Sequence, residues 1–158
     1  MDTDASDAGD LASRWVRLGA ALLDGLIMMV VILPIQWFGG FLPAAMNAAQ
    51  NGYSLPFGTL LLWSLIGLVV FVAIQGWPLH QSGQTWGKRA VSIRITDLDG
   101  NKPPLLRLLG LRYLPMQAAS LVPVVGPLVG FINPLFIFRQ DRRCLHDLIA
   151  GTRVVNVR

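Results

Sequence analysis

Two carboxylates near apolar segments carry most of the chemistry that this sequence could perform. Asp24 lies inside an apolar run, and Arg17 precedes it by seven residues. That separation is two helical turns, so a helix places both side chains on one face, about 10 Å apart. A carboxylate deep in a bilayer costs about 2.5 to 3.5 kcal/mol, so Asp24 should face protein or a water-filled cavity and have a partner. The pair is therefore either a structural ion pair or an ion or proton site.

A second group of reactive side chains comprises Cys144, His146 and Asp147. A closed metal site usually needs about four ligands, and a nucleophilic cysteine needs a base with an orienting group. Neither pattern is complete, so we expect no metal, no cofactor and no enzyme activity. Asp147 is instead expected near a helix start, where its charge is favourable, or in contact with an arginine.

The stretch GQTWGK, Gly83 to Lys88, ends like a phosphate-binding loop. Such a loop requires a glycine at the position of Ser82 and a Ser or Thr at the position of Arg89, so the match fails. We interpret the stretch as a glycine turn that brings Lys88 and Arg89 to the membrane surface.

These residues belong to a chain that is too apolar for a soluble domain. Of its 158 residues, 53% are hydrophobic and 14% are charged, whereas soluble domains carry about 25% charged residues. Residues 25–87 contain no Asp, Glu, Lys or Arg. The single cysteine excludes a disulfide scaffold, and the hydrophobicity excludes a disordered chain. An integral membrane protein, with the lipid bilayer as its first partner, is the class that remains.

The net charge of +4 and the pI of about 10 raise the question of nucleic-acid binding. The basic residues flank apolar segments and do not form a stripe interleaved with aromatic residues, so no nucleic-acid partner is expected. Their placement is what the positive-inside rule produces in a multi-pass inner-membrane protein, with the N-terminus and the C-terminus expected in the cytoplasm.

Hydropathy predicts an all-α membrane protein with two transmembrane helices. The runs 18–38 and 57–77 each hold 21 residues, enough to cross the hydrocarbon core. Residues 1–12 are expected to form a disordered acidic tail, and residues 13–158 a single membrane domain. Residues 39–56 are predicted to be a short loop on the far side of the membrane.

A third apolar run, 113–138, is predicted to be broken by its prolines, Pro115, Pro123, Pro127 and Pro134. We expect the bend around the Gly126–Pro127 pair. If the arginines that follow are cytoplasmic, the run is a re-entrant segment or a hairpin, and the alternative is a third crossing. We prefer the hairpin because it leaves all 13 basic residues on one side.

Two short β-branched stretches predict a small cytoplasmic β pairing. Residues 90–96 alternate apolar and polar side chains and precede the turn-forming pair Asp99–Gly100, and residues 152–157 form the second stretch. Neither strand is stable alone, so their pairing would join the C-terminal end to the central loop.

Three separated segments resemble one family: RLGAALLD from Arg17, GQTWGK from Gly83, and RRCLHDLIAGTRVV from Arg142, which contains His146. In this order they are similar to the RDD family of bacterial membrane proteins. The family is named for an arginine at the start of the first membrane helix, an aspartate within it and a second aspartate near the end. Those positions match Arg17, Asp24 and Asp147. The family's turn motif matches Gly83, Thr85, Gly87 and Lys88, and its later arginine matches Arg112.

The resemblance implies less about activity than about fold. The family is mostly of unknown function, is suspected of transport, and has a member described as a sodium/proton antiporter. One hypothesis is cation or proton exchange at Asp24, with Arg17 and Asp147 setting its pKa. So small a chain would need a homo-oligomer to enclose a pathway for its unknown ligand. The alternative is a non-transporting scaffold or assembly partner, in which the three residues form one buried structural network.

Overall fold

The structure is a computed structural model that describes residues 10–122 and 125–157. Most of the predicted acidic tail, residues 1–9, lies outside the described residues. Leu11 forms an isolated bridge with Val155, and the buried Ala12 donates its backbone N–H to Val154. The folded unit therefore includes at least two residues that precede Ser13.

Two long helices form an antiparallel hairpin and agree with the predicted membrane segments. They are α1 (Arg14–Phe38) and α3 (Phe57–Ser82). In their most apolar 18-residue stretches, only 6% of α1 and 0% of α3 is buried within the chain. Helices of this kind are candidates for spanning a bilayer, because lipid can cover the apolar surface that the protein leaves exposed.

The segment predicted as a loop between these helices contains a helix, α2 (Phe41–Asn51). Its alanines favour helix, and Gly40 and Gly52 at its two ends both adopt positive φ angles, +81° and +69°. The loop interpretation was therefore wrong for most of this segment, because the lack of charge carried no information about local conformation.

The third apolar run, together with the residues 105–112 that precede it, consists of several short helices. In chain order they are α5 (Leu105–Arg107), a π-helical turn (Leu108–Tyr113), α6 (Leu114–Ser120), α7 (Val125–Leu135) and a 3₁₀ turn (Phe136–Phe138). Helix α7 runs through Gly126 and Pro127, so a bend at this pair is not confirmed. A proline is tolerated in the first helical turn, where its missing N–H is not needed. The path of this region through a membrane stays a prediction.

The predicted β pairing is confirmed. Strand β1 (Ile93–Asp97) pairs antiparallel with β2 (Thr152–Asn156), with Ile95 opposite Val154. Before the strands lie two short helices, α4 (Trp86–Ala90) and α8 (Leu145–Ala150). The inward-facing residues of the sheet join a small core with the start of α1 and the end of α3, whose buried members include Ala12, Ala20, Leu79, Ile93, Ile95, Leu108 and Val154.

One end of the helical hairpin carries the small sheet and the short helices, and we call it the basic end. It comprises the sheet, the first turns of α1, α4, α5, the π-helical turn and α8. Within the described residues, every lysine and arginine lies in or beside it, and the opposite end, with α2, has none. The charge that the sequence separates into flanking stretches is thus gathered at one end of the two long helices.

Candidate functional site

Asp147 is buried at the start of α8, where two residues close to it in the sequence donate hydrogen bonds to its carboxylate. Cys144 is the N-cap of this helix, and Asp147 stands three residues later, where its carboxylate accepts the Cys144 backbone N–H at 3.0 Å. The Thr152 hydroxyl, at the start of β2, donates to the same carboxylate at 3.3 Å. A carboxylate in the first turn is also favoured by the helix dipole, as expected for this residue.

Two arginines from distant segments complete what we call the Asp147 cluster: Asp147, Arg17, Arg112, Cys144 and Thr152. Arg17 of α1 binds one carboxylate oxygen and Arg112 of the π-helical turn binds the other. Their side chains are 6% and 2% exposed, and that of Asp147 is 0% exposed. Burial alone would raise the pKa of Asp147, but the two arginines hold it well below its usual range. The cluster fastens three segments together.

Asp24 has a different set of partners. Its Oδ1 accepts hydrogen bonds from Gln75 Nε2 at 3.0 Å and from the Gly87 backbone N–H at 2.7 Å. Its Oδ2 accepts a hydrogen bond from the Thr85 hydroxyl and lies 3.7 Å from Lys88 Nζ. We call these five residues the Asp24 cluster. It joins α1, α3 and the start of α4.

The GQTWGK turn has the backbone geometry that the Asp24 cluster requires. Gly83 ends α3 at a φ of +66°, and the Thr85 side chain caps α4 by accepting the Lys88 backbone N–H at 3.4 Å. A Cβ on Gly87 would overlap the carbonyl oxygen of Ala20 and lie 2.8 Å from Asp24 Cγ. Glycine at this position therefore lets the start of α4 approach the backbone of α1 closely.

The sequence suggested that Lys88 lies at the membrane surface, but the structure places its side chain mostly inside the protein. Its side chain is 14% exposed, and its ammonium group lies beside both Asp24 and the Thr85 hydroxyl, 3.7 Å from Asp24 Oδ2 and 3.3 Å from Thr85 Oγ1. Burial, with the positive charge of Arg112 nearby, lowers the pKa of Lys88 to about 8. Arg89 is exposed, with its guanidinium over the rings of Trp77 and Trp86.

The predicted site residues are therefore divided between two clusters. Arg17 is the partner of Asp147, and no ion pair joins it to Asp24 within the described part of the chain. The single network of Arg17, Asp24 and Asp147 is not what the structure contains. The supporting residues follow the same division, with Thr85, Gly87 and Lys88 at Asp24, and with Arg112 and His146 beside Asp147.

The family profile that matches this sequence covers residues 11–151, and its description is "RDD family". The chain belongs to the RDD family. It is 35% identical over 145 residues to the uncharacterised protein YckC of Bacillus subtilis (strain 168). That alignment covers 90% of this chain and 83% of YckC. An uncharacterised protein of Haemophilus influenzae is 24% identical over 147 residues, which covers 91% of this chain and 77% of that protein. No solved structure matches the chain.

In this RDD-family chain, Cys144, His146 and Asp147 offer ligand atoms that all lie within 4.8 Å of one another. Both Asp147 oxygens already bind arginines, and Arg17 Nη2 lies 3.6 Å from Cys144 Sγ. A metal ion would therefore have to compete with two guanidinium groups. Burial raises the pKa of the Cys144 thiol and so disfavours the thiolate that binds metals or attacks substrates.

His146 has an amide partner that the sequence did not reveal. Its Nδ1 lies 2.8 Å from Asn133 Oδ1, and its backbone N–H donates to the same oxygen at 3.2 Å. Burial and the charge of Arg112 lower the pKa of His146 well below its ordinary value, so the imidazole is neutral near pH 7. Asn133 thereby links α7 to the start of α8.

A cavity of about 470 Å³ adjoins both clusters of the RDD fold. Four basic residues line it, namely Arg14, Arg17, Lys88 and Arg112, together with His146 and Asn133. Arg14, at the first position of α1, donates to the backbone carbonyl of Ile137 at 3.2 Å and holds the wall formed by the 3₁₀ turn.

Two polar residues of the site, Gln75 and Asn133, were missed because a search for charge passes over amides. Gln75 is fully buried although it lies on an otherwise apolar helix, and it both donates to Asp24 and accepts the Trp86 backbone N–H at 2.9 Å. An uncharged polar residue inside a predicted membrane segment was the available indication, since such a group needs a partner there.

Proposed function

We propose that this RDD protein crosses a bacterial inner membrane with α1 and α3, with the basic end in the cytoplasm. The distribution of charge supports this orientation, because the described lysines and arginines are at one end and the other end has none. Asp10 and Asn156 are hydrogen-bonded neighbours at the basic end, so this orientation puts both ends of the described chain in the cytoplasm. The bacterial origin of both relatives is consistent with the proposal.

We further propose that the protein is a non-enzymatic membrane scaffold or assembly partner, whose Arg–Asp clusters are structural. The observation that carries this choice is the occupancy of both carboxylates. Each Asp147 oxygen binds an arginine, and each Asp24 oxygen accepts at least one protein hydrogen bond. A transported cation would have to displace these donors at a large cost. A second copy or another membrane protein would be the assembly partner.

The test combines ion flux with stability. Wild type and Asp24→Asn are purified, checked for thermal unfolding in detergent, and reconstituted in liposomes for sodium and proton flux from about pH 6 to about pH 9. A structural role predicts that the substitution lowers the unfolding temperature and that neither protein shows carboxylate-dependent flux. Flux in wild type, lost in an Asp24→Asn protein of unchanged stability, would contradict the scaffold.

Flux that depends on Asp24 would favour cation or proton exchange, and one observation supports this alternative. Lys88 lines the cavity, lies 3.7 Å from Asp24 Oδ2 and has its pKa lowered to about 8, so the pair could release and take up a proton near neutral pH. If the pair carries protons, Lys88→Met must also abolish the flux, whereas the exposed Arg94→Gln must preserve it.

A further inference from the structure

We propose that the cavity beside the two clusters binds the phosphate group of an anionic membrane lipid, with the acyl chains passing over its apolar rim. This site is separate from the scaffold role proposed above, because the cavity residues bind the lipid whether or not the chain has a protein partner. Its volume, about 470 Å³, lies in the range of small-ligand sites and suits a headgroup.

The first argument is charge. The four basic residues that line the cavity carry four positive charges at neutral pH, and no carboxylate is among the lining residues that the structure describes. Asp24 and Asp147 compensate two of these charges, so two positive charges remain. Arg14 donates hydrogen bonds to the backbone carbonyls of residues 137–139, which are neutral acceptors and leave its positive charge uncompensated by them. The cavity therefore attracts an anion.

The second argument is the chemistry of Arg112. Its side chain is 2% exposed, and the residue is one of those that line the cavity. Guanidinium groups bind phosphate oxygens in a planar, directional way. Arg112 therefore adds phosphate-binding chemistry to the cavity wall.

The third argument distinguishes a lipid from a soluble anion. The rim includes large apolar side chains that are exposed, Trp15 at 75%, Leu135 at 60% and Phe138 at 58%. A tryptophan at the first turn of a membrane-spanning helix is typical of the bilayer interface, where lipid headgroups lie. A soluble phosphate would gain nothing from this rim, whereas acyl chains would cover it. Clusters of basic residues at this depth also attract anionic lipids.

The probe is a short-chain phosphatidylglycerol added to the full-length protein in a neutral detergent. We expect it to raise the unfolding temperature in a saturable way, because a ligand that binds only the folded state stabilises it. Phosphatidylcholine of the same chain length and inorganic phosphate should leave the unfolding temperature unchanged. An equal shift with phosphatidylcholine would overturn the site, and an equal shift with inorganic phosphate would overturn its assignment to a lipid.

Arg14→Gln is the main variant, since it removes no partner of a buried carboxylate. It should weaken phosphatidylglycerol binding about tenfold or more, as loss of a charge-assisted hydrogen bond does. Arg94→Gln changes the net charge equally at an exposed position outside the cavity and should bind like wild type. Equal weakening in both variants would mean surface attraction and would overturn the proposal.

A second variant removes volume without removing charge. Ala21 lines the cavity and is exposed to it or to lipid, so Ala21→Phe fills part of the space while the basic residues stay in place. We expect its unfolding temperature without lipid to match that of wild type and the stabilisation by phosphatidylglycerol to be lost. Unchanged lipid stabilisation in Ala21→Phe would place the lipid elsewhere and contradict the cavity.

Discussion

Arg17 and Asp147 form a buried ion pair although 130 residues separate them in the chain. Arg112 binds the other oxygen of the same carboxylate, so one aspartate holds the start of α1, the π-helical turn and α8 together. The residues that give the RDD family two of its three letters are thus direct partners. The third letter corresponds to Asp24, which also lies on α1 and binds the GQTWGK turn through Thr85 and Gly87.

Asp147→Asn should be the most damaging single substitution in this cluster. It leaves two buried guanidinium groups without their shared carboxylate, so we expect a loss of about 3 to 5 kcal/mol in the free energy of unfolding. Arg17→Gln should cost less, because Asp147 keeps Arg112. Unfolding in detergent, followed by tryptophan fluorescence, measures both.

The matched control for Asp147→Asn is Asp141→Asn, which removes a carboxylate from the partly exposed pair that Asp141 forms with Arg139 at 3.5 Å. It should change stability by no more than about 0.5 kcal/mol. Similar losses in the two variants would mean that the buried ion pairs do not hold the fold together.

Gly87→Ala tests the close approach between α4 and α1. The new methyl group would overlap the Ala20 carbonyl and the Asp24 side chain, and we expect a loss of about 1 to 3 kcal/mol through displacement of the turn. Gly25→Ala is the control on α1, since nothing lies within 4 Å of its Cβ position. There the exchange should be neutral or stabilise the helix by up to about 1 kcal/mol. A harmless Gly87→Ala would show that the contact is loose.

Sequence patterns predicted the long helices and the sheet because these features depend on residues that are close together in the sequence. Uninterrupted apolar runs require helices, and the alternation at Ile93 and Ile95 requires one buried face of a strand. Helix α2 escaped prediction because the Gly, Pro, Asn and Gln residues of this segment are typical of a loop, although its alanines favour helix. The bend expected around Gly126–Pro127 is not confirmed, because Pro127 falls in the first turn of α7, where a helix tolerates a proline.

The polar partners could not be predicted in the same way. Arg17 and Asp24 share a helix face by spacing, but ion pairing depends on which segments the fold brings to that face. In the folded chain the turn at Gly87 contacts Asp24, whereas Asp147, from near the C-terminal end of the sequence, contacts Arg17. Gln75 carries no charge and so drew no attention. Residue types therefore identified the positions that matter, while tertiary packing decided their partners.

His146 should make stability depend on pH in the mildly acidic range. Burial and the neighbouring charges of Arg112 and Lys88 lower its pKa, although Asp147 opposes them. Below about pH 6.5 the unfolded chain therefore takes up a proton that the folded chain does not, and stability falls as the pH falls. Between about pH 6.5 and pH 5.5 the loss should approach 1 kcal/mol.

In His146→Gln this part of the slope should disappear. His80→Gln removes the chain's other, exposed imidazole and should keep the wild-type slope. Unfolding temperatures measured in one detergent across this pH range separate the two variants. A slope that survives in His146→Gln would assign the pH dependence to another group.

Asp24 and Lys88 should be energetically coupled through the Asp24 cluster. Asp24→Asn leaves the Lys88 ammonium without a carboxylate and puts an amide among donors, so we expect a loss of about 1 to 3 kcal/mol. Lys88→Met should cost less, because Gln75, Thr85 and Gly87 still bind Asp24. The double variant should be more stable than the sum of the single losses predicts, by about 0.5 kcal/mol or more. Asp24→Asn with Arg94→Gln, whose members are not partners, should be additive within about 0.5 kcal/mol. A coupling no larger than that of this control pair would show that the ion pair contributes nothing to stability.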